Sequence, residues 1–333
     1  MKKIITGAFS LLLLLSAVAT FAQEDKKKEK YEFVKNRSIS KTYSASGNKL
    51  IIDNSFGDVK FVAWNKNEIK VDVKIEVSSN QEAMAQRTFD AITVTDKQQG
   101  NEIEFKTKIE NKDNKKDNFK NVKSNMNIDY EVHLPVSVAL NVSNSFGSIE
   151  LPDYTGALDV NSKFGNLTAG SLSNVKDIDV EFGSANIKSL SNVDATFKFS
   201  KIEIGNLSGK NQIKLEFCDA TRINLDNNLQ SLQMHESYST VNIRPGNLSA
   251  TYTISTSFGS VVDRSNANIK RTDTPDKYGP DSDKTFEGKS GSGSARVEIK
   301  SSFGRIIVGE ATADDMKKDK TKNKNRSAHR QVI

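Results

Sequence analysis

Cysteine is nearly absent from this chain: Cys218 is the only one in 333 residues. No intramolecular disulfide can form even in an oxidising compartment, so stability has to come from core packing and backbone pairing. Histidine is almost as scarce. His133, His235 and His329 stand far apart, without an HxxxH or CxxC neighbour, which argues against a metal site and leaves no nucleus for a Ser-His-Asp or Cys-His arrangement. Trp64 is the one tryptophan, too little for a broad sugar-stacking platform. Charge of one sign is also weak, at a net +6. The basic residues gather in runs at 112–120 and 317–326, which read as solvated loops or tails rather than a nucleic-acid surface.

Long apolar runs are missing, with one exception at residues 4–18. That run follows Lys2 and Lys3, holds five consecutive leucines, and precedes the small residues Thr20 and Ala22 at the −3 and −1 positions of a cleavage site. It is short for a membrane span and gives way at once to QEDKKKEK, so residues 1–22 read as an export signal cleaved before Gln23. Losing Lys2 and Lys3 lowers the net charge from +6 to +4. No cysteine lies near the site to carry a lipid. The expectation is an exported protein of the periplasm or cell surface, with no transmembrane span and no nucleic-acid partner.

What the chain does have is a recurring word. NSFG at 54–57 and 144–147, KFGN at 163–166, EFGS at 181–184, TSFG at 256–259 and SSFG at 301–304 pair an aromatic with a small residue. The aromatics Phe146, Phe164, Phe182, Phe199, Phe217, Tyr238 and Phe258 follow one another at 17–21 residues. A fixed period of that length signals a solenoid, whose repeats bury their apolar sides only against neighbours. Three positions after each aromatic come Ile149, Leu167, Ala185, Ile202 and Ala220; five after come Leu151, Ala169, Ile187 and Ile204; eight after come Tyr154, Leu172, Leu190, Leu207 and Leu225. Between them apolar and polar residues alternate at the period of a strand, broken by Gly, Asn, Asp and Ser. This describes a parallel β-helix of roughly three strands per coil. The aromatics are expected to stack as an internal ladder. The small position after them, including Cys218, marks a tight corner or a close backbone approach. Just before the aromatics, Lys163, Glu181, Lys198 and Glu216 form a candidate surface stripe of alternating sign that sets register.

Residues 23–40 read as a linker and 41–141 as a strand-rich region that caps the solenoid, a separate sandwich being the alternative. Its one helix candidate is 80–92, with Ser79 placed to cap it and Glu82 three residues on. Residues 142–310 hold the coils. Within them 265–295 is polar and rich in Gly, Pro and Asp, an expected extruded loop, before a last coil around SSFG. The charged tail 311–333 is expected to be disordered.

The stretches IIDNSFGDVKFVAWNKNEIKVDVKIE, ALNVSNSFGSIELPDYTGALDVNSKFGNLTAG and the later SFG words resemble the putative-adhesin β-helix family of exported bacterial proteins, over roughly residues 40–310. That resemblance, shared with head-domain relatives, implies an all-β, single-stranded right-handed parallel β-helix of about 18–21 residues per coil. It implies no catalytic residues.

Other motifs fail. GKSG at 288–291 has Asp283 where a phosphate loop needs its first Gly, and GSGSAR has Arg296 where a dinucleotide loop needs its third. A carboxylate cluster of a polysaccharide lyase or hydrolase could arise from Asp159, Asp177, Asp179, Glu181, Asp194 and Asp219, but these alternate with lysines as a solvated face does. The sequence therefore predicts no enzyme, cofactor or metal. It predicts a non-catalytic envelope module, binding or structural, with a glycan or another envelope protein as partner. A polysaccharide-active enzyme and an envelope-stress scaffold are the alternatives.

Overall fold

The computed structural model describes residues 31–110, 121–275 and 279–316. The expected export signal at 1–22, the run at 112–120 and the tail beyond 316 lie outside the described residues. The described chain is all-β apart from one helix, Glu82–Ala91, and its 23 strands join in one sheet. Ser79 does not cap that helix. Its Oγ accepts the Gln81 amide at 3.2 Å and donates to the Lys123 carbonyl at 2.9 Å, tying the helix entry to a neighbouring loop.

Parallel pairing dominates, and it follows the repeat. Each aromatic has one strand before it and one after. Leu158–Lys163 pairs parallel with Ala139–Ser145 on one side and Val175–Glu181 on the other. Asn166–Leu172 pairs in the same way with Ile149–Leu151 and Ser184–Ser191. Two parallel ladders result, meeting at the aromatic corner, so each repeat carries two paired strands rather than three. The long strands Lys201–Glu216 and Thr221–Ser237 serve both ladders, their first parts continuing one and their last parts the other.

The aligned apolar positions fall into register as the spacing requires. Ile149, Leu167, Ala185 and Ile202 are neighbours, as are Leu172, Leu190, Leu207 and Leu225, and all lie in the single core. Ala220 is the exception. The corner after Phe217 takes one extra residue, with Ala220 at φ 57°, and the buried slot passes to Thr221. The register shift between Ile204 and Leu207 absorbs the difference.

The ladders extend beyond 146–258 at both ends. Lys49–Ser55 and Val59–Ala63 form a further repeat around Phe56, beside the Phe146 repeat. Beyond it lie antiparallel pairs, including Phe33–Ser44 with Glu68–Ser79, so residues 33–40 are strand rather than linker. At the other end Asp283–Lys289 pairs antiparallel along Ala250–Ser257 and, at its other side, with Lys270–Arg271, so this part of 265–295 is strand rather than loop. The last repeat, Ala295–Ser302 and Arg305–Gly309, is inserted. It pairs parallel with 231–244 on one side and 250–264 on the other. Asp315 fastens it, bonding Arg264, Arg305 at 2.7 Å and the Thr312 hydroxyl at 2.6 Å.

Candidate functional site

The aromatics do form a ladder, but on the outside. Phe56, Phe146, Phe164, Phe182, Phe199, Phe217, Tyr238, Phe303 and Phe258 stack in that order, with centroids 4.8–5.1 Å apart and planes within 9° of parallel. Phe182 is 47 % exposed and Phe258 57 %. The physical reason for the reversal lies in the backbone. All nine adopt φ between 50° and 64°, and this left-handed turn breaks strand alternation and throws the side chain outward. The inward slot two residues earlier is already filled, by Val180, Phe197 and Leu215 in the central repeats. A left-handed conformation costs a bulky residue on the order of 1 kcal/mol. Stacking on two neighbours, at about 0.5–1.5 kcal/mol per pair, offsets it.

The small residue after the aromatic is needed for close approach. A Cβ on Gly165 would overlap the carbonyl oxygen of Gly147, and one on Gly183 that of Gly165. In the next three repeats the position is Ser200, Cys218 and Ser239, whose side chains turn inward and bond backbone. Cys218 Sγ lies 3.2 Å from the Phe197 carbonyl, and the Ser239 hydroxyl takes the Cys218 amide at 3.0 Å. Burial pushes the Cys218 thiol up to about 11, which makes it a packing residue rather than a nucleophile.

Along one side of this ridge runs the alternating stripe. Strand register places Lys163, Glu181, Lys198 and Glu216 on successive repeats. Glu181 bridges Lys163 at 3.6 Å and Lys198 at 3.3 Å, while Glu216 takes Lys214 at 2.6 Å. The hydrogen bond to Glu181 raises the Lys198 pKa; that to Lys214 lowers Glu216.

The six acids separate. Asp159, Asp177 and Asp194 form a column of their own by register. Desolvation, then repulsion from Asp159 and Asp194, raises the Asp177 pKa. Asp159 and Asp177 line a shallow groove with Asn141, Asn161 and Lys163. Asp179 stands one column over, its pKa raised first by burial and then by Glu181, with Oδ1 buried and unbonded. Glu181 belongs to the charged stripe, and Asp219 sits in the corner after Cys218.

Sequence reasoning missed Glu236. It occupies the inward slot, 2 % exposed, where the other repeats place uncharged residues, apolar at Val180, Phe197 and Leu215 and small or amide at Asn54, Asn144, Ser162, Thr256 and Ser301. The Ser301 hydroxyl donates to Oε1 and the Ser239 amide to Oε2 at 3.2 Å, yet burial pushes the carboxyl up to about 7. Its place two residues before Tyr238 was the available signal. Of the two described histidines, His133 packs at a tilt against Trp64 with centroids 5.4 Å apart. Among the described residues no group of three or more His, Cys, Asp or Glu side chains could hold a metal, and no helix is long and apolar enough to cross a membrane.

No family model matches the chain, and no curated protein matches it. Solved structures similar to it include two adhesion-related proteins. A putative cell adhesion protein from Clostridium sporogenes is 12 % identical, with a TM-score of 0.24, covering 83 % of this chain and 100 % of its own. A putative adhesin from Bacteroides fragilis is also 12 % identical, with a TM-score of 0.39 over 82 % and 97 % of the two chains.

Proposed function

We propose that this is a non-catalytic exported envelope protein, an adhesin-like binding or structural module whose two ladders wind as a right-handed parallel β-helix. Parallel pairing at 17–21-residue intervals around one core supports the winding. The observation that carries the functional reading is the ridge. Nine half-exposed rings in one line make an apolar surface larger than a monomer ordinarily leaves to water, and such patches mark interaction sites. The residues at 1–22 support export to the periplasm or cell surface. The test is a glycan and matrix-protein array probed with the mature protein, beside a variant carrying Ser at Phe164, Phe182 and Phe199. Specific capture that the variant loses supports the reading. N-terminal sequencing of the exported protein should begin at Gln23.

The acidic column favours a second reading, a polysaccharide-active enzyme. Neighbouring parallel strands lie about 4.8 Å apart, which brings Asp159 and Asp177 close to the separation of a retaining glycosidase pair. Turnover of a polysaccharide that Asp177→Asn abolishes would establish it.

A further inference from the structure

The ridge is edge-on. Each interior ring has both faces covered by its neighbours, so a sugar cannot stack upon them, and only ring edges meet solvent. The partner has to be another apolar surface with charges that match the flanking stripe. The stripe itself says which. Read in reverse, Lys-Glu-Lys-Glu becomes Glu-Lys-Glu-Lys, so the pattern is complementary to its own antiparallel copy.

We infer that the ridge is a homodimer interface in which a second copy lies antiparallel, about a two-fold axis passing between the Phe182 and Phe199 repeats. This deepens the proposed interaction role and rests on it. The axis sets Lys163 against Glu216 of the second copy and Glu181 against its Lys198, so both stripes meet entirely in opposite signs. On the other flank Asp58 faces Arg305 of the second copy, and no like charges meet. Two nearby two-fold arrangements oppose like charges. An axis moved half a repeat, onto Phe199, opposes Lys198 with itself and Glu181 with Glu216. A parallel pairing sets Lys198 against Lys201 and Glu216 against Asp219. A two-fold contact is isologous, so each favourable pair occurs twice.

The size also fits. Eight rings from Phe56 to Phe303 pair with eight. With about half of the roughly 150–250 Å² of each aromatic side chain open, the two ridges and their flanks can bury on the order of 1,200–1,600 Å², the range of a stable specific interface.

The wild-type mature protein should sediment as a dimer. Carbodiimide, which joins contacting amines and carboxylates, should couple Lys163 to Glu216. Within one chain these lie three repeats apart, about 15 Å, so the coupling can only cross copies. Glu181→Lys and Lys198→Glu should each weaken the dimer by at least about tenfold, because each opposes like charges twice. Mixing the two folded variants, checked by circular dichroism, should restore dimers, since position 181 of each copy then faces the opposite charge at position 198 of the other. A protein that stays monomeric at high concentration overturns the dimer. So does a dimer lacking the Lys163–Glu216 product, or one that mixing fails to rescue. Ridge-dependent capture of a glycan or matrix protein by a monomer would overturn the dimer and leave the interaction role standing. Indifference of both self-association and array binding to the triple-Ser ridge variant would overturn both.

Discussion

Phe182 and Phe197 are both aromatic, fifteen residues apart, and the structure gives them opposite environments: Phe182 is 47 % exposed at φ 56°, Phe197 is fully buried within a strand. Truncating Phe182 to Ala removes about 100 Å² of contact, worth about 2 kcal/mol, plus about 0.5 kcal/mol for each of two exposed stacking contacts. The total is about 3 kcal/mol. Replacing it with Gly loses the same contacts but relieves the left-handed strain, so Gly should be about 1 kcal/mol better than Ala. At Phe197 the order reverses. Ala opens a core cavity at about 3–5 kcal/mol, and Gly adds up to about 1 kcal/mol through its freedom in the unfolded chain. Urea unfolding of the four variants, followed by circular dichroism, reads all of this from the midpoints at constant slope. If Phe182→Gly proves less stable than Phe182→Ala, the outward left-handed corner is refuted and the ring belongs in the core.

Three further outcomes follow from particular contacts. Gly165→Ala should destabilise by about 2–3 kcal/mol, since its Cβ meets the rigid backbone of Gly147 rather than a yielding side chain; the urea midpoint measures it. Glu236 binds its proton more tightly folded than unfolded. Stability should therefore fall as pH rises from about 4.5 to about 7 and then level off, and Glu236→Gln should remove that fall, gaining up to roughly 3 kcal/mol at pH 8. Asp315 behaves oppositely. Its bonds to Arg264 and Thr312 hold the carboxyl well below the usual range, so its contribution is full above its unfolded pKa and disappears in strong acid. Asp315→Asn should melt several degrees lower at neutral pH and converge with wild type only in strongly acidic solution.

The repeat was legible because its causes are local. Alternation around Leu167, Ala185 and Ile202 and the constant interval between aromatics are written in the residues, and the register follows them. The direction of the rings was not. Hydrophobicity places a phenylalanine inside, and nothing in the single word KFG announces the sign of φ at Phe164. The preceding alternation does carry a hint, since Ser162 and Val180 already take the inward slot. The stripe was visible as alternating charge, but its geometry beside an exposed ridge depended on that same φ. Phe33–Ser44 was hidden by its composition, because a polar strand paired along one partner needs few apolar residues. Spatial order was the other unreadable feature. Phe303 lies between Tyr238 and Phe258, and linear spacing contains no term for insertion.

That insertion has a consequence in time. Emerging in sequence order, the repeats up to Tyr238 can lay themselves down one upon the next. Residues 250–264 cannot simply continue the zipper, because their final neighbour on that side is synthesised later. Until 295–309 arrive, the Phe258 repeat has to stand off by one strand width, about 4.8 Å, or seal onto 231–244 in a place that must later be vacated. The strand Asp283–Lys289 already occupies its far edge, so the gap is open on one side only. The final repeat is a keystone: it enters last, completes both ladders at once, and is pinned when Asp315 reaches back to Arg264. Growth of the stack and its completion are thus separate events, and the second waits for residues 295–315.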